Sequence, residues 1–304
     1  MIYTVTMNPA LDYTIRMNTL HQGIVNRADS TAVSAGGKGI NVSRVLKNIG
    51  MDSVCMGFTA GFTGRELEKQ LSDEGIKTEF IHTEHGETRI NVKLKAASET
   101  DINAPGPKIN AQDINRLAHR LKSAESGDYV FLCGSVPPGV GEECYAEIMR
   151  SAKGLKYIVD TSGKPLYEAV REKPFLIKPN NFELSEFFGK EITDRDETVF
   201  YAKKMQELGA ENVLVSLGAD GAVLCADNGR VYICEAPRGD VSDCVGAGDS
   251  MAAGFMYGYI KYADFKKALE VGICAGSATA FKEGLADKQT ICGLLKKVSA
   301  KRIC

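Results

Sequence analysis

The chain lacks several features that would each have fixed its class at once. No apolar run approaches the length of a membrane-spanning helix, so a helical membrane protein is excluded. Its nine cysteines are an odd count without a C-x-x-C pair. The start, Met1-Ile2-Tyr3-Thr4-Val5-Thr6, has no basic region followed by an apolar core. A secreted disulfide scaffold is thereby excluded, and a reduced, cytoplasmic protein is expected. Cys133, Cys225 and Cys274 stand in apolar surroundings and are expected to be buried small hydrophobes rather than ligands. The four histidines, His21, His82, His85 and His119, form no metal-like cluster. Neither charge sign dominates, with 37 Lys and Arg against 39 Asp and Glu and a formal charge of −2. There is no general electrostatic reason to bind nucleic acid or an anionic membrane, so any anionic ligand must be caught locally.

What is present is an alternation of short β-rich runs and amphipathic segments. Tyr3-Thr6, Val54-Phe58, Tyr129-Cys133, Tyr157-Asp160, Phe175-Lys178 and Val213-Ser216 read as strands. Helical patterns lie between them, at Val42, Val45, Leu46 and Ile49 and near 64–74, 111–123, 142–152 and 196–208. This order predicts an α/β protein with a mostly parallel sheet covered by helices. Ala222-Cys225 and Val231-Cys234, joined across Asp227-Asn228-Gly229, predict an antiparallel edge. The stretch from Ser250 to Val298 reads as helical. Residues 12–17 with 27–33, and 88–95 with 100–103, break the rhythm and predict a small separate β-sheet. In the second of these, Arg89, Asn91, Lys93 and Lys95 alternate strictly with Ile90, Val92 and Leu94. A sheet this small cannot bury its apolar face alone. If the polar face covers the site, the apolar face is left for a second copy of the chain, which predicts a homodimer.

Three motifs carry the chemistry. Asp243-Cys244-Val245-Gly246-Ala247-Gly248-Asp249-Ser250 precedes Ala252, Phe255, Met256 and Tyr259 at helical spacing, so a helix is predicted to begin near Asp249. Its free N–H groups and dipole suit an anion, and Asp249 could take a proton from an attacking hydroxyl or serve only as a helix-start acid. No Walker A sequence occurs, and a dinucleotide fingerprint fails because Met251 stands where the third glycine belongs. Ala35-Gly36-Gly37-Lys38-Gly39-Ile40-Asn41 is a second glycine turn entering a helix, with a lysine for charge and an asparagine for hydroxyls. Asp12, after Asn8-Pro9-Ala10, reads equally as a hydroxyl acceptor and as a turn aspartate. Lys178-Pro179-Asn180-Asn181-Phe182-Glu183 puts Asn180 and Glu183 three apart, which suits indirect Mg²⁺ binding or a helix cap. Ser216-Leu217-Gly218-Ala219-Asp220-Gly221 lies between two strands as a turn that could run beneath a nucleotide.

Together these motifs resemble the PfkB, or ribokinase-like, sugar kinase family over essentially the whole chain. The resemblance implies one ribokinase-like three-layer αβα domain over residues 1–304, with a small β-sheet lid from insertions at about 12–33 and 86–105. It implies ATP and Mg²⁺ and phosphorylation of a sugar hydroxyl. Within the family, Thr4 to Asp12, Lys38 and Thr88 to Lys93 are most similar to members acting on a phosphorylated ketohexose. Fructose 1-phosphate is expected ahead of tagatose 6-phosphate and fructose 6-phosphate, with a non-catalytic sugar-phosphate-binding regulator as the alternative of another class. By the same resemblance Asp249 is the base, and Gly246, Ala247 and Gly248 form the anion hole. Asp12, Gly36, Gly37 and Asn41 bind sugar hydroxyls, while Lys38, Arg89 and Arg27 hold the substrate's phosphate. Lys178, Asn180, Ser216, Gly218, Ala219, Asp220 and Gly221 line the ATP site, with Gly248 shared, and Glu183 organises magnesium through water. Cys244 departs from the threonine of many members.

Overall fold

Alternate side chains of a buried strand go to opposite sides of its sheet, and that division builds the two halves of the core. The computed structural model describes residues 1–303. Its first half runs β1 (Ile2–Thr6), β2 (Ala10–Arg16), β3 (Ser30–Gly36), α1 (Lys38–Asn48), β4 (Val54–Thr59), α2 (Gly61–Asp73) and β5 (Lys77–His82). There follow β6 (Arg89–Lys95), β7 (Glu99–Ile102), α3 (Ala111–Leu121), β8 (Tyr129–Cys133), α4 (Cys144–Ser151), β9 (Lys156–Asp160), α5 (Gly163–Val170) and β10 (Leu176–Ile177). The chain continues through α6 (Asn181–Phe188), α7 (Arg195–Leu208), β11 (Asn212–Ser216), β12 (Ala222–Cys225) and β13 (Val231–Cys234). It closes with α8 (Ala247–Tyr262), α9 (Phe265–Ala280), α10 (Lys288–Leu295) and β14 (Lys301–Arg302).

Ten strands form one sheet in the order β14-β13-β12-β11-β10-β9-β8-β1-β4-β5. The run from β11 to β5 is parallel, and β12, β13 and β14 close one edge antiparallel. Val130, Leu132, Val159, Val213 and Val215 face one helix layer, joined there by Ile114 and Leu117 of α3, Ile148 of α4, Leu184 of α6 and Met205 of α7. Their neighbours Phe131, Cys133, Ile158 and Leu214 face the other, with Val42 and Leu46 of α1, Phe255 of α8, Ile273 of α9 and Ile291 of α10. Helix α2 caps a third, smaller cluster through Leu67 and Leu71. These are the three layers expected. Two strands escaped the sequence reading: β5 joins the parallel edge, and β14 adds to β13 beyond the expected helical end at Val298. The expected strand over Phe175-Lys178 is only two residues long.

A second sheet of four strands has the order β3-β2-β6-β7. Strands β2 and β3 pair antiparallel, and β2 and β6 pair parallel with Asp12 opposite Asn91. Only Met7, Asn8 and Pro9 separate β1 of the large sheet from β2 of the small one. Among the described residues no helix is long and apolar enough to cross a membrane. Cys133, Cys225 and Cys274 are buried, as expected of small hydrophobes.

Candidate active site

Two helices start at glycine turns that only glycine fits well. Gly37 precedes α1 at φ 139°, where a Cβ would lie 2.5 Å from Thr6 Cγ2. Gly246 precedes α8 at φ 77°, where a Cβ would lie 2.6 Å from Leu285 Cδ2. Neither N-cap residue bonds its helix through a side chain; in α1 the Ile40 N–H is taken by Thr6 Oγ1 at 3.1 Å, and other first-turn amides are left for a ligand. Helix α8 begins at Ala247, two residues earlier than expected, which puts Asp249 at its third position. The Ala247 N–H donates to the Cys244 carbonyl at 3.2 Å, so of the expected anion hole that amide is already used.

Asp249 is 7% exposed and accepts a 2.8 Å hydrogen bond from Asn41 Nδ2. Asn41, expected to meet sugar hydroxyls, thus touches the carboxylate itself. Burial, then repulsion from the Asp160 carboxylate, push the Asp249 pKa up to about 6 against the pull of Asn41, Lys38 and Lys178. Asp160, at the C-terminal end of β9, is a site residue that the sequence reading missed. It is 1% exposed and sits between two ammonium groups, with Lys38 Nζ 2.8 Å from Oδ1 and Lys178 Nζ 3.2 Å from Oδ2. Burial opposes the Asp160 charge, but the two lysines outweigh it and hold its pKa down. Burial also opposes the Lys38 charge, and attraction to Asp160 outweighs it, raising the ammonium's pKa.

A cavity of about 900 Å³ lies on one side of this cluster, lined by Lys178, Asn180, Ser216, Gly218, Asp220, Gly246, Gly248 and Asp249. Another of about 990 Å³ lies beneath the small sheet, lined by Asp12, Gly37, Arg89, Asn91, Lys93 and Pro138 among others. Lys38 and Glu183 line both. The remaining expected residues are scattered around these two spaces. Gly36 packs its backbone against the Asp12 carboxylate. Arg89 donates from Nη2 to the Asn8 carbonyl at 2.9 Å and from Nη1 to that of Ala104 at 3.3 Å, with Nε buried and unpaired. Ala219 is exposed and Gly221 buried, and neither lines the first cavity. Arg27 is exposed in the β2–β3 connection and lines neither cavity, so a single chain does not bring it to the cluster.

Asn180 and Glu183 form a capping box on α6, each side chain bonded to the other's backbone N–H at 2.8 Å. One Glu183 oxygen is thereby used and the other is left over. Among the described residues no group of three or more His, Cys, Asp or Glu could hold a metal ion. That donor set does not make a protein cage, and it fits an ion held mostly by water and phosphate oxygens.

A buried carboxylate at a helix N-terminus, at the wall of one polar cavity and beside a lysine that lines a second, is the equipment of a phosphotransferase acting on a hydroxyl. The model of the pfkB family carbohydrate kinases matches residues 5–291. The chain is 42% identical to 1-phosphofructokinase of Bacillus subtilis over the whole of both chains. It is 37% identical to D-tagatose-1-phosphate kinase of Bacillus licheniformis, covering 94% of this chain and 95% of that one. The crystal structure of Escherichia coli phosphofructokinase-2 with fructose-6-phosphate superposes with a TM-score of 0.90 at 28% identity, over 97% of this chain and 98% of that one. The chain belongs to the pfkB family of carbohydrate kinases, and ATP is the co-substrate that membership implies.

Proposed function

We propose that the protein transfers the γ-phosphoryl group of ATP to the free primary hydroxyl of D-fructose 1-phosphate, giving fructose 1,6-bisphosphate and ADP. The carrying observation is Asp249, buried at the wall of the first cavity, held by Asn41 and close to Lys38, which lines both cavities. ATP occupies the cavity of Lys178, Asn180, Ser216 and Gly218, with its phosphates toward the start of α8. The phosphosugar lies beneath the small sheet, which acts as a lid. Asp249 accepts the proton of the attacking hydroxyl, and the α8 amides stabilise charge on the transferring group. Glu183 would hold Mg²⁺ through water, and the ion when bound neutralises charge on the ATP phosphates. A second reading, D-tagatose 1-phosphate as substrate, is favoured by the 37% identical relative of that name.

ADP release measured with fructose 1-phosphate, tagatose 1-phosphate, tagatose 6-phosphate and fructose 6-phosphate at equal concentration tests the choice. Fructose 1-phosphate should give the highest kcat/KM, and a higher value for any other sugar overturns the proposal. Lys38→Ala should raise KM for the phosphosugar by about 10- to 100-fold, the loss of one charge-assisted contact. An unchanged KM would relocate the substrate's phosphate.

The small sheet also supports a homodimer. Ile90 and Val33 are 43% and 45% exposed on its outer face, and with Leu11, Tyr13 and Phe62 they line an apolar hollow. Ile90→Asp should shift the sedimentation of the native protein toward the monomer. A wild-type protein that is monomeric at micromolar concentration rules the dimer out.

A further inference from the structure

The polar face of the small sheet meets two hollows, the sugar cavity and a neighbouring one of about 450 Å³ on the α1 side. Asp12 and Lys93 are the residues that line both. Lys93 stands two residues beyond Asn91 on β6 and opposite Thr14 of β2, so its side chain leaves the sheet on the same face as Asp12. Burial raises the Asp12 pKa, and attraction to Lys93 is the largest influence opposing it. Among the described residues three cations line the sugar cavity, Lys38, Arg89 and Lys93, and they differ in how firmly each is held. Lys38 is bound to the buried Asp160, and Arg89 is anchored through two N–H groups to the carbonyls of Asn8 and Ala104. Lys93 keeps 18% of its side chain accessible, and its Nζ donates to Asp101 Oδ2 at 3.2 Å across the β6–β7 pair. Asp101 is 52% exposed on the edge strand, so that pair is worth little and its carboxylate returns to water at little cost.

We infer that Lys93 is a substrate-binding residue that sets the preference for a phosphorylated over a free ketose, by exchanging the Asp101 carboxylate for the phosphate the sugar already carries. An ammonium has three N–H donors and no acceptor, so it can leave Asp101, bond a phosphate oxygen and still face the Asp12 carboxylate. A phosphate monoester carries more charge than a carboxylate and offers three acceptor oxygens, which favours the exchange. The flexible stem of a lysine lets the ammonium follow the phosphate without disturbing the strand. A free ketose brings nothing to displace Asp101, so the lysine adds nothing to its binding. The inference rests on the proposed kinase function, since it places the phosphosugar beneath the small sheet.

The test separates the sugar from its phosphate. Steady-state kinetics at fixed ionic strength are measured for wild type, Lys93→Ala, Lys93→Arg and Asp101→Asn with fructose 1-phosphate, and free fructose is titrated as a competitive inhibitor. Lys93→Ala should raise KM for fructose 1-phosphate by about 10- to 100-fold, while the inhibition constant of fructose and KM for ATP stay within about twofold. Lys93→Arg keeps the charge and should recover part of the loss. Asp101→Asn releases the lysine and should lower KM by about 2- to 5-fold, an effect that disappears in the Lys93→Ala background. Equal KM values in wild type and Lys93→Ala overturn the inference. So does an equal weakening of fructose and fructose 1-phosphate, which would leave Lys93 as a support for the Asp12 charge. A raised KM in Asp101→Asn overturns the exchange, since the pair would then orient the lysine rather than compete with the substrate. A wild type that turns over another phosphoketose but not fructose 1-phosphate defeats the proposed function alone. The same comparison of that sugar with its dephosphorylated form then decides the role of Lys93.

Discussion

Asp249→Asn should lower turnover by about 10²- to 10⁴-fold, the range expected for loss of a positioned base, and leave KM for both substrates within a few-fold. The same change should make the protein more stable. A carboxyl whose folded pKa is about 6, against an ordinary value of 3.8, is more comfortable protonated in the native state than ionised. Where a folded pKa is raised, stability is greatest below the unfolded value and falls as the pH climbs through the folded one. Ionised Asp249 therefore costs about 3 kcal/mol above pH 6, some two pK units at about 1.4 kcal/mol each, which an amide does not incur. The stability gain of Asp249→Asn should be full above that pH and vanish on acidification below about 4. Wild-type kcat/KM should fall on the acid side with an apparent pKa near 6. Denaturant melts at pH 8 and pH 4, with one pH–rate profile, check all three. Near-normal turnover in the variant, or a variant less stable than wild type at pH 8, removes Asp249 from the role of strained base.

Asp160→Asn should be destabilising by about 3–5 kcal/mol at neutral pH, because it leaves a buried ammonium without its counter-charge. Lys178 is 5% exposed and cannot turn to water, whereas Lys38, with 38% of its side chain exposed, can. Asp249 is then a carboxylate that both lysines still attract. With the Asp160 repulsion gone and the lysines freed, its pKa should fall, and the acid limb of the pH–rate profile should move to lower pH. Such a displacement distinguishes an electrostatic role from a merely structural one. Loss of less than about 1 kcal/mol, the range of an exposed pair, with an unmoved acid limb would mean that the lysines do not depend on Asp160.

The two glycine turns were legible because a helix start leaves unpaired amides whatever the fold around it, and Gly37, Lys38, Gly246 and Asp249 announce such starts locally. Asp160 was not legible. It ends an ordinary apolar strand, and its meeting with Lys38 and Lys178 depends on β9 lying between β8 and β10, a matter of strand order. Strand β5 was missed because Lys77, Glu79 and His82 interrupt its apolar residues, as suits the sheet edge it occupies. The small sheet was foreseen from the alternation of residues 88–95. Its parallel pairing of β2 with β6 was not, since nothing within either strand specifies a partner so distant in sequence. Asn41 shows the limit for side chains: its position near a helix start was readable, but its bond to Asp249 required the packing of α1 on α8.

The three-residue joint between β1 and β2 gives the sugar a part to play beyond that of phosphate acceptor. Asp12 and Arg89 ride on the small sheet, while Lys38 and Asn41 ride on helix α1 and Asp249 on helix α8. A ligand bonded to both sets ties the small sheet to the main layers, which the chain itself joins through Met7, Asn8 and Pro9 and again through Gly37. The loss of relative motion then falls on sugar binding and not on nucleotide binding, and the contacts that meet that cost lie far from the reacting hydroxyl. A sugar stripped of those distant groups forfeits alignment as well as affinity, so its defect appears in kcat.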